Sequence, residues 1–133
     1  MKDVNIETVV VDALYIVGYL IPDENQVSIN RTFDDFRENK INFIAPPLLH
    51  YEVTNGIKMA VVRKRIEYTL GVKLINDFFA LGIDLEEINL ADCFTIAYNH
   101  GISVYDSCYI WLAKLLNIPL LTLDKRLASL ART

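Results

Sequence analysis

The sequence predicts an α/β protein: a three-layer α/β/α sandwich built on a short parallel sheet. Three observations carry that expectation. Short β-branched or apolar runs alternate with longer stretches of helical period, the pattern of strands joined by helical crossovers. No hairpin signal joins one strand-like run to the next, so the strands are expected to be parallel. The chain has 133 residues, 53% of them apolar, enough for one core in a single domain spanning 1–133.

In order, Glu7 to Val11 ends in the β-branched run TVVV and reads as a buried strand. Asp12 follows, then the apolar helix Ala13 to Leu20, stopped near Pro22. Asp23 to Glu38 reads as a loop and a surface helix, with Val27, Ile29, Phe33 and Phe36 on one face. Ile41 to Ala45 is a second strand, ended by Pro46 and Pro47, and Pro47 suits the first turn of a helix. That helix, Leu48 to Met59, carries Leu48, Glu52, Asn55 and Met59 on one face. Val62 to Leu81 reads as one amphipathic helix with the basic start Arg63, Lys64 and Arg65, and with Gly71 as the place for a break. Ile83 to Leu85 is a short strand. A helix from Asn89 or Leu90 to Asn99 has Leu90, Cys93, Phe94, Ala97 and Tyr98 as its apolar face, with Asp92 in the first turn as a structural charge. Gly101 ends it. Asp106 opens an apolar helix to Leu116, Leu120 to Leu123 is a buried strand, and Asp124 stands before the basic helix Lys125 to Ala131.

Composition narrows the function. No stretch reaches the roughly 18 uninterrupted apolar residues of a membrane span, and MKDVNIE has no signal-peptide pattern, so a cytoplasmic protein is expected. Cys93 and Cys108 fall in helical patterns and read as buried thiols. His50 and His100 have no His or Cys at ligand spacing, which argues against zinc. Neither GxGxxG nor GxxxxGK[ST] is present, so nucleotide cradling by those loops is unsupported. The formal charge of −4 weighs against a nucleic-acid binder. Setting four clustered acids aside brings it to zero, and bound divalent cations would reverse the local field.

Those four acids are Asp12, Glu52, Asp106 and Asp124. Singly, each has a structural explanation: Asp12 as a helix N-cap, Glu52 as a side chain reaching outward from the edge of an apolar face. Together they point to one site. Asp12 and Asp124 end strands, and ligands bind at the carboxyl ends of strands in open α/β sheets. Four converging carboxylates repel and raise one another's pKa, a cost that Mg²⁺ or Mn²⁺ would remove, since hard cations take oxygen ligands. Two such ions roughly 4 Å apart can activate water and stabilise the leaving oxygen of a phosphodiester.

The motifs VVVDA around Asp12, YEVTNGI around Glu52, GISVYDSCYIWLA around Asp106 and PLLTLDKRLA around Asp124 resemble, in order and spacing, those of the PIN-domain ribonucleases, especially VapC-type toxins of toxin–antitoxin pairs. The resemblance covers nearly the whole chain. It implies a PIN-like fold, metal-dependent RNA cleavage, dimerisation and inhibition by a small antitoxin. It carries the family's acids onto Asp12, Glu52, Asp106 and Asp124 as metal-binding and catalytic residues, and supporting polar positions onto Asn55 and Thr122. Lys125, Arg126, Arg63, Lys64 and Arg65 are candidates for RNA contact. One departure is Leu14, where the family often has Ser or Thr; it leaves open a catalytically silent PIN-like module that binds RNA or protein. A receiver-type signalling domain also has an acidic pocket at strand ends, but the sequence offers Asp12 without an adjacent acid and no clear phosphoacceptor.

Overall fold

The computed structural model describes residues 6–22 and 26–133. Asp23, where the expected surface segment starts, and the opening Met1 to Asn5 lie outside the described residues. Four strands, β1 (Glu7–Val11), β2 (Ile41–Ala45), β3 (Asp84–Leu85) and β4 (Leu120–Leu121), form one sheet in the order β3-β2-β1-β4. Every pairing is parallel, with Val10 opposite both Ile44 and Leu120 and with Ala45 opposite Leu85. The expected α/β fold with a short parallel sheet is therefore present.

The helices are α1 (Ala13–Leu20), α2 (Val27–Arg37), α3 (Leu49–Val62), α4 (Tyr68–Ala80), α5 (Leu90–His100), α6 (Val104–Leu116) and α7 (Lys125–Arg132). The chain steps from β1 to β2 to β3 in one direction, then returns past both to β4. Right-handed crossovers put the two sets of connections on opposite faces. Accordingly α1, α2, α3 and α4 pack against one another, while α5 packs on α6, and α6 lies on β1 and β4 beside α7.

The middle of the sheet is buried on both faces. Val9, Val10, Val11, Phe43, Ile44 and Ala45 are almost wholly inaccessible, which is why TVVV shows no alternation. An aromatic stack fills one side: Phe33 lies 3.8 Å from Tyr19 and nearly parallel to it, and meets Phe43 edge-on at 5.2 Å. Gly56 lets α1 and α3 approach closely, since a Cβ there would sit 3.1 Å from Val17 Cγ2.

Several boundaries differ from the sequence expectation. The segment Val62 to Leu81 is not one helix. Helix α3 runs on to Val62, Arg63–Arg65 form a turn with Lys64 at φ 61°, and α4 starts at Tyr68. Gly71 does not break α4; it is buried where a Cβ would lie 2.9 Å from Val61 Cγ2, so its smallness serves helix packing. Pro47 lies in the turn before α3 rather than in its first turn. Asp106 does not open its helix: Ser103 is the N-cap, with its Oγ accepting from Asp106 N at 3.0 Å. Strand β4 stops at Leu121, two residues short of Leu123. The face expected for α5 is only half buried, since Cys93 and Ala97 are covered while Leu90, Phe94 and Tyr98 are exposed. The His50 ring meets Phe78 and Phe79 edge-on. Among the described residues no helix is long and apolar enough to cross a membrane.

Phe33 is the aromatic around which this face closes. Phe33→Ala is expected to cost about 3–5 kcal/mol, read from urea unfolding. A loss under about 1 kcal/mol would mean that α2 is not part of the cooperative core.

Candidate metal-dependent active site

Because all four strands are parallel, one edge of the sheet collects every strand end and the start of the helix that follows. Asp12 is the residue between β1 and α1. Its extended backbone makes it the N-cap of α1, and Oδ1 accepts from Tyr15 N at 2.9 Å. Its own N–H donates to Leu121 O on β4 at 3.2 Å. The carboxylate is 5% exposed. Burial pushes its pKa up to about 6, opposed by hydrogen bonds from Thr122 and Tyr15, and the negative charges of Glu52 and Asp106 raise it further.

Thr122 ties two of the acids together. Its hydroxyl bonds the Asp12 side chain, and its Oγ1 accepts from Asp124 N at 3.0 Å. Asp124 in turn is the N-cap of α7, where Oδ1 accepts from Arg126 N at 2.9 Å and Leu127 N at 3.1 Å. The structural reading of Asp12 as a cap is thus correct as far as it goes, and Asp124 is a cap as well. Each cap uses one carboxylate oxygen for backbone N–H groups, and a carboxylate has acceptor capacity beyond that.

Glu52 stands in the first turn of α3, half-buried, and accepts from the hydroxyl of Tyr109 on α6 at 2.6 Å. Burial raises its pKa, the Tyr109 bond lowers it, and the charge of Asp106 raises it again. Tyr109 is itself buried, and burial with its bond to Glu52 holds its phenol far above the usual range. It is therefore a fixed hydrogen-bond donor joining the two helical layers across the sheet edge. Sequence reasoning missed it, although Tyr109 lies one turn after Asp106 and hence on the same face of α6. Asp106 is raised by burial and by Asp124, and lowered by the Ser103 hydroxyl.

The four acids therefore feel one another in a chain: Glu52 and Asp106 act on Asp12, Asp106 on Glu52, and Asp124 on Asp106. No lysine or arginine figures among the groups that set these three pKa values. As the side chains stand, no group of three or more His, Cys, Asp or Glu among the described residues is close enough together to hold a metal ion. The chemistry of the donors fits a hard divalent cation, and an open set of carboxylates suits one that keeps several of its waters.

The other sequence candidates are placed unequally. Asn55 is exposed one turn after Glu52. Lys125 is exposed directly after Asp124, whereas the Arg126 guanidinium donates to His100 O at the end of α5. Arg63, Lys64 and Arg65 stand apart from the acids. Their turn is at the far end of α3, roughly 16 Å along the axis from Glu52 at 1.5 Å per residue.

No family model matches the chain. It is 31% identical over 123 residues to Ribonuclease VapC3 of Pyrobaculum aerophilum, a match spanning 90% of this chain and 91% of that relative. The chain belongs to the VapC family. The crystal structure of PAE2754, also from Pyrobaculum aerophilum, superposes with a TM-score of 0.72 at 16% identity, over 96% of this chain and 87% of that one, and shares its fold. The residue two places after Asp12, Leu14, is 60% exposed in the first turn of α1.

The raised pKa of Asp12 has a stability consequence. A carboxyl whose folded pKa is about 6 against 3.8 unfolded leaves the native state holding more protons between those values. Stability therefore falls as pH rises through that window and stays lower above it. Asp12→Asn keeps the N-cap and removes the charge. With chelator present, it is expected to be more stable than wild type by up to about 3 kcal/mol above pH 6, the gap closing near pH 4. An equal pH profile in the two proteins would mean that Asp12 is not held in a costly environment.

Proposed function

We propose that this protein is a Mg²⁺- or Mn²⁺-dependent endoribonuclease, the toxin of a toxin–antitoxin pair. The observation that carries the reading is the convergence of Asp12, Glu52, Asp106 and Asp124 on one sheet edge, where three of them are pushed up partly by one another. The relative named a ribonuclease supports the reaction class. Asp12, Asp106 and Asp124 would hold the cation, with Glu52 contacting it directly or through water. When bound, such an ion activates water and offsets charge on the phosphodiester.

The chain's own residues supply the rest. Thr122 fixes the Asp12 carboxylate relative to the Asp124 backbone. Tyr109 orients one oxygen of Glu52 and leaves the other free. With its raised pKa, Glu52 is suited to take a proton from water as it attacks phosphorus, and burial of Asp12 excludes bulk water from one side. Lys125, exposed directly after Asp124, would meet a phosphate. On this reading the substrate is RNA, the site of action is the cytoplasm, and a small antitoxin covers the site when the protein is inhibited. A second reading, a silent PIN-like binding module, is favoured by one observation: Leu14, two residues after Asp12, offers no hydroxyl.

Asp106→Asn separates the two. Ser103 remains the cap, so the fold and melting temperature are expected to hold. Cleavage of RNA with Mn²⁺ is expected to fall at least roughly 10- to 100-fold, the loss that already follows from disturbing a group behind a metal ligand. Mn²⁺ is also expected to raise the wild-type melting temperature by mass action, and less in the variant. Undiminished cleavage by folded variant removes Asp106 from the site; no cleavage by wild type leaves the silent module.

The protein is also proposed to be a homodimer. Leu90, Phe94 and Tyr98 recur every four residues along α5 and are exposed, with Phe94 64% accessible. Helix α5 packs on α6, so its outer stripe is left for a second copy to cover. Phe94→Glu is expected to convert a dimeric mass in light scattering to a monomeric one without lowering the melting temperature of the fold at low concentration. A wild-type monomer at micromolar concentration would count against the dimer.

A further inference from the structure

On the outer side of α3, the helix meets the end of α4 and the end of β3, and a groove of about 750 Å³ lies between them. That volume is within the roughly 300–1,000 Å³ typical of sites for small molecules and cofactors. Its wall is aromatic and polar in alternation: Tyr51, His50 and Phe79 with Asn55 and Lys58. Tyr51 is 79% exposed and Phe79 more than half exposed, a costly presentation of rings to water unless something covers them. The His50 ring is fixed edge-on between Phe78 and Phe79 at 5.2 and 5.1 Å. Lys58 makes no ion pair among the described residues.

None of the four acids lines the groove, but it shares the carboxyl edge of the sheet and helix α3 with them. Pro47 and Leu85, which follow or end β2 and β3, are part of its wall, so it opens on the same carboxyl edge of the sheet. Asn55 is one turn beyond Glu52, about 60° around the helix and roughly 4.5 Å along it, and so stands between the two. A strand of RNA whose phosphodiester lies against the acids would carry a neighbouring nucleotide past this position.

We propose that the groove between α3 and the ends of α4 and β3 is a subsite for one unpaired nucleobase beside the scissile phosphate. This rests on the ribonuclease reading above. Tyr51 and Phe79 offer ring faces for stacking, which serves any base. Asn55 offers an amide donor and acceptor for a base edge, and Lys58 an ammonium for the flanking phosphate. Unpaired bases can be splayed into such a groove and duplex ones cannot, so the site selects single-stranded or looped RNA. Tyr51 and Phe79 set affinity, and Asn55 sets which base is preferred.

Binding and cleavage test this separately. A fluorescent single-stranded RNA oligonucleotide is titrated in Mg²⁺ against Asp106→Asn protein, alone and combined with Tyr51→Ala, Tyr51→Phe or Asn55→Ala. Tyr51→Ala is expected to weaken binding roughly ten- to a hundredfold, while Tyr51→Phe, which keeps the stacking face, restores it. In the background with Asp106 intact, Asn55→Ala is expected to broaden the distribution of cut positions on a mixed-sequence RNA, and Tyr51→Ala to raise KM more than it lowers kcat. Since Tyr51 is on the surface, a melt of each variant should match its parent. Equal affinity and an unchanged cut pattern in the folded variants overturn the subsite, even if wild type cleaves. The same outcome joined to loss of self-association makes the groove a contact between protein copies instead. RNA binding that depends on Tyr51 in a wild type that does not cleave keeps the subsite and overturns the ribonuclease reading.

Discussion

Burying the carboxylate of Asp12 is the constraint to which the rest of this molecule is fitted. An ionised group taken from water is costly unless its oxygens are satisfied, and the first turn of α1 and the parallel pairing of β1 with β4 together satisfy them. That pairing brings Thr122 to the Asp12 side chain and Leu121 O to its N–H. It therefore fixes where Asp124 begins α7. The hydrophobic sheet centre supports the arrangement from below: Val9 to Val11 are sealed by helices on both faces, so the end of β1 has no freedom to release its acid to solvent.

The second layer of order comes from α6. Its first turn brings Asp106 to the edge, and one turn later Tyr109 reaches across to Glu52 on the opposite helical layer. This link turns two separately packed helix layers into one wall of acids. The hydrogen bond from a phenol that does not ionise keeps Glu52 oriented while leaving it half-exposed, which suits a group that exchanges protons. The site thus carries its strain as electrostatics, in the raised pKa values of Asp12, Glu52 and Asp106, rather than in the backbone.

The surface divides by edge. Leu14 and Tyr51 are exposed in the first turns of α1 and α3, while the exposed stripe of α5 lies on a helix that packs against α6. The two features ask for different occupants. One shares the sheet edge of the acids and mixes rings with amide and ammonium groups; the other repeats every fourth residue along a helix, as a helix-packing face does.

The sequence by itself determined the alternation of strands and helices, the position of Asp12 at a strand end and of Asp124 at a helix start, and the buried reduced character of Cys93 and Cys108. Those follow from local signals: β-branched runs, helical period, and acids placed at the boundary between them. Ser103 carried a local signal too, since Ser three residues before an acid marks a helix N-terminus, and it is Ser103, not Asp106, that caps α6. Other features had no local signal. The break after Val62 depends on Lys64 taking a left-handed conformation with no Gly, Asn or Pro to announce it, and Gly71 is small because Val61 packs against it. Which half of the α5 apolar face is covered, that Tyr109 meets Glu52 across 57 positions of sequence, and that Arg63–Arg65 stand a helix length from the acids were decided only in three dimensions. Each depends on which elements the parallel sheet brings side by side, and the period of a single helix or strand carries no information about its neighbour.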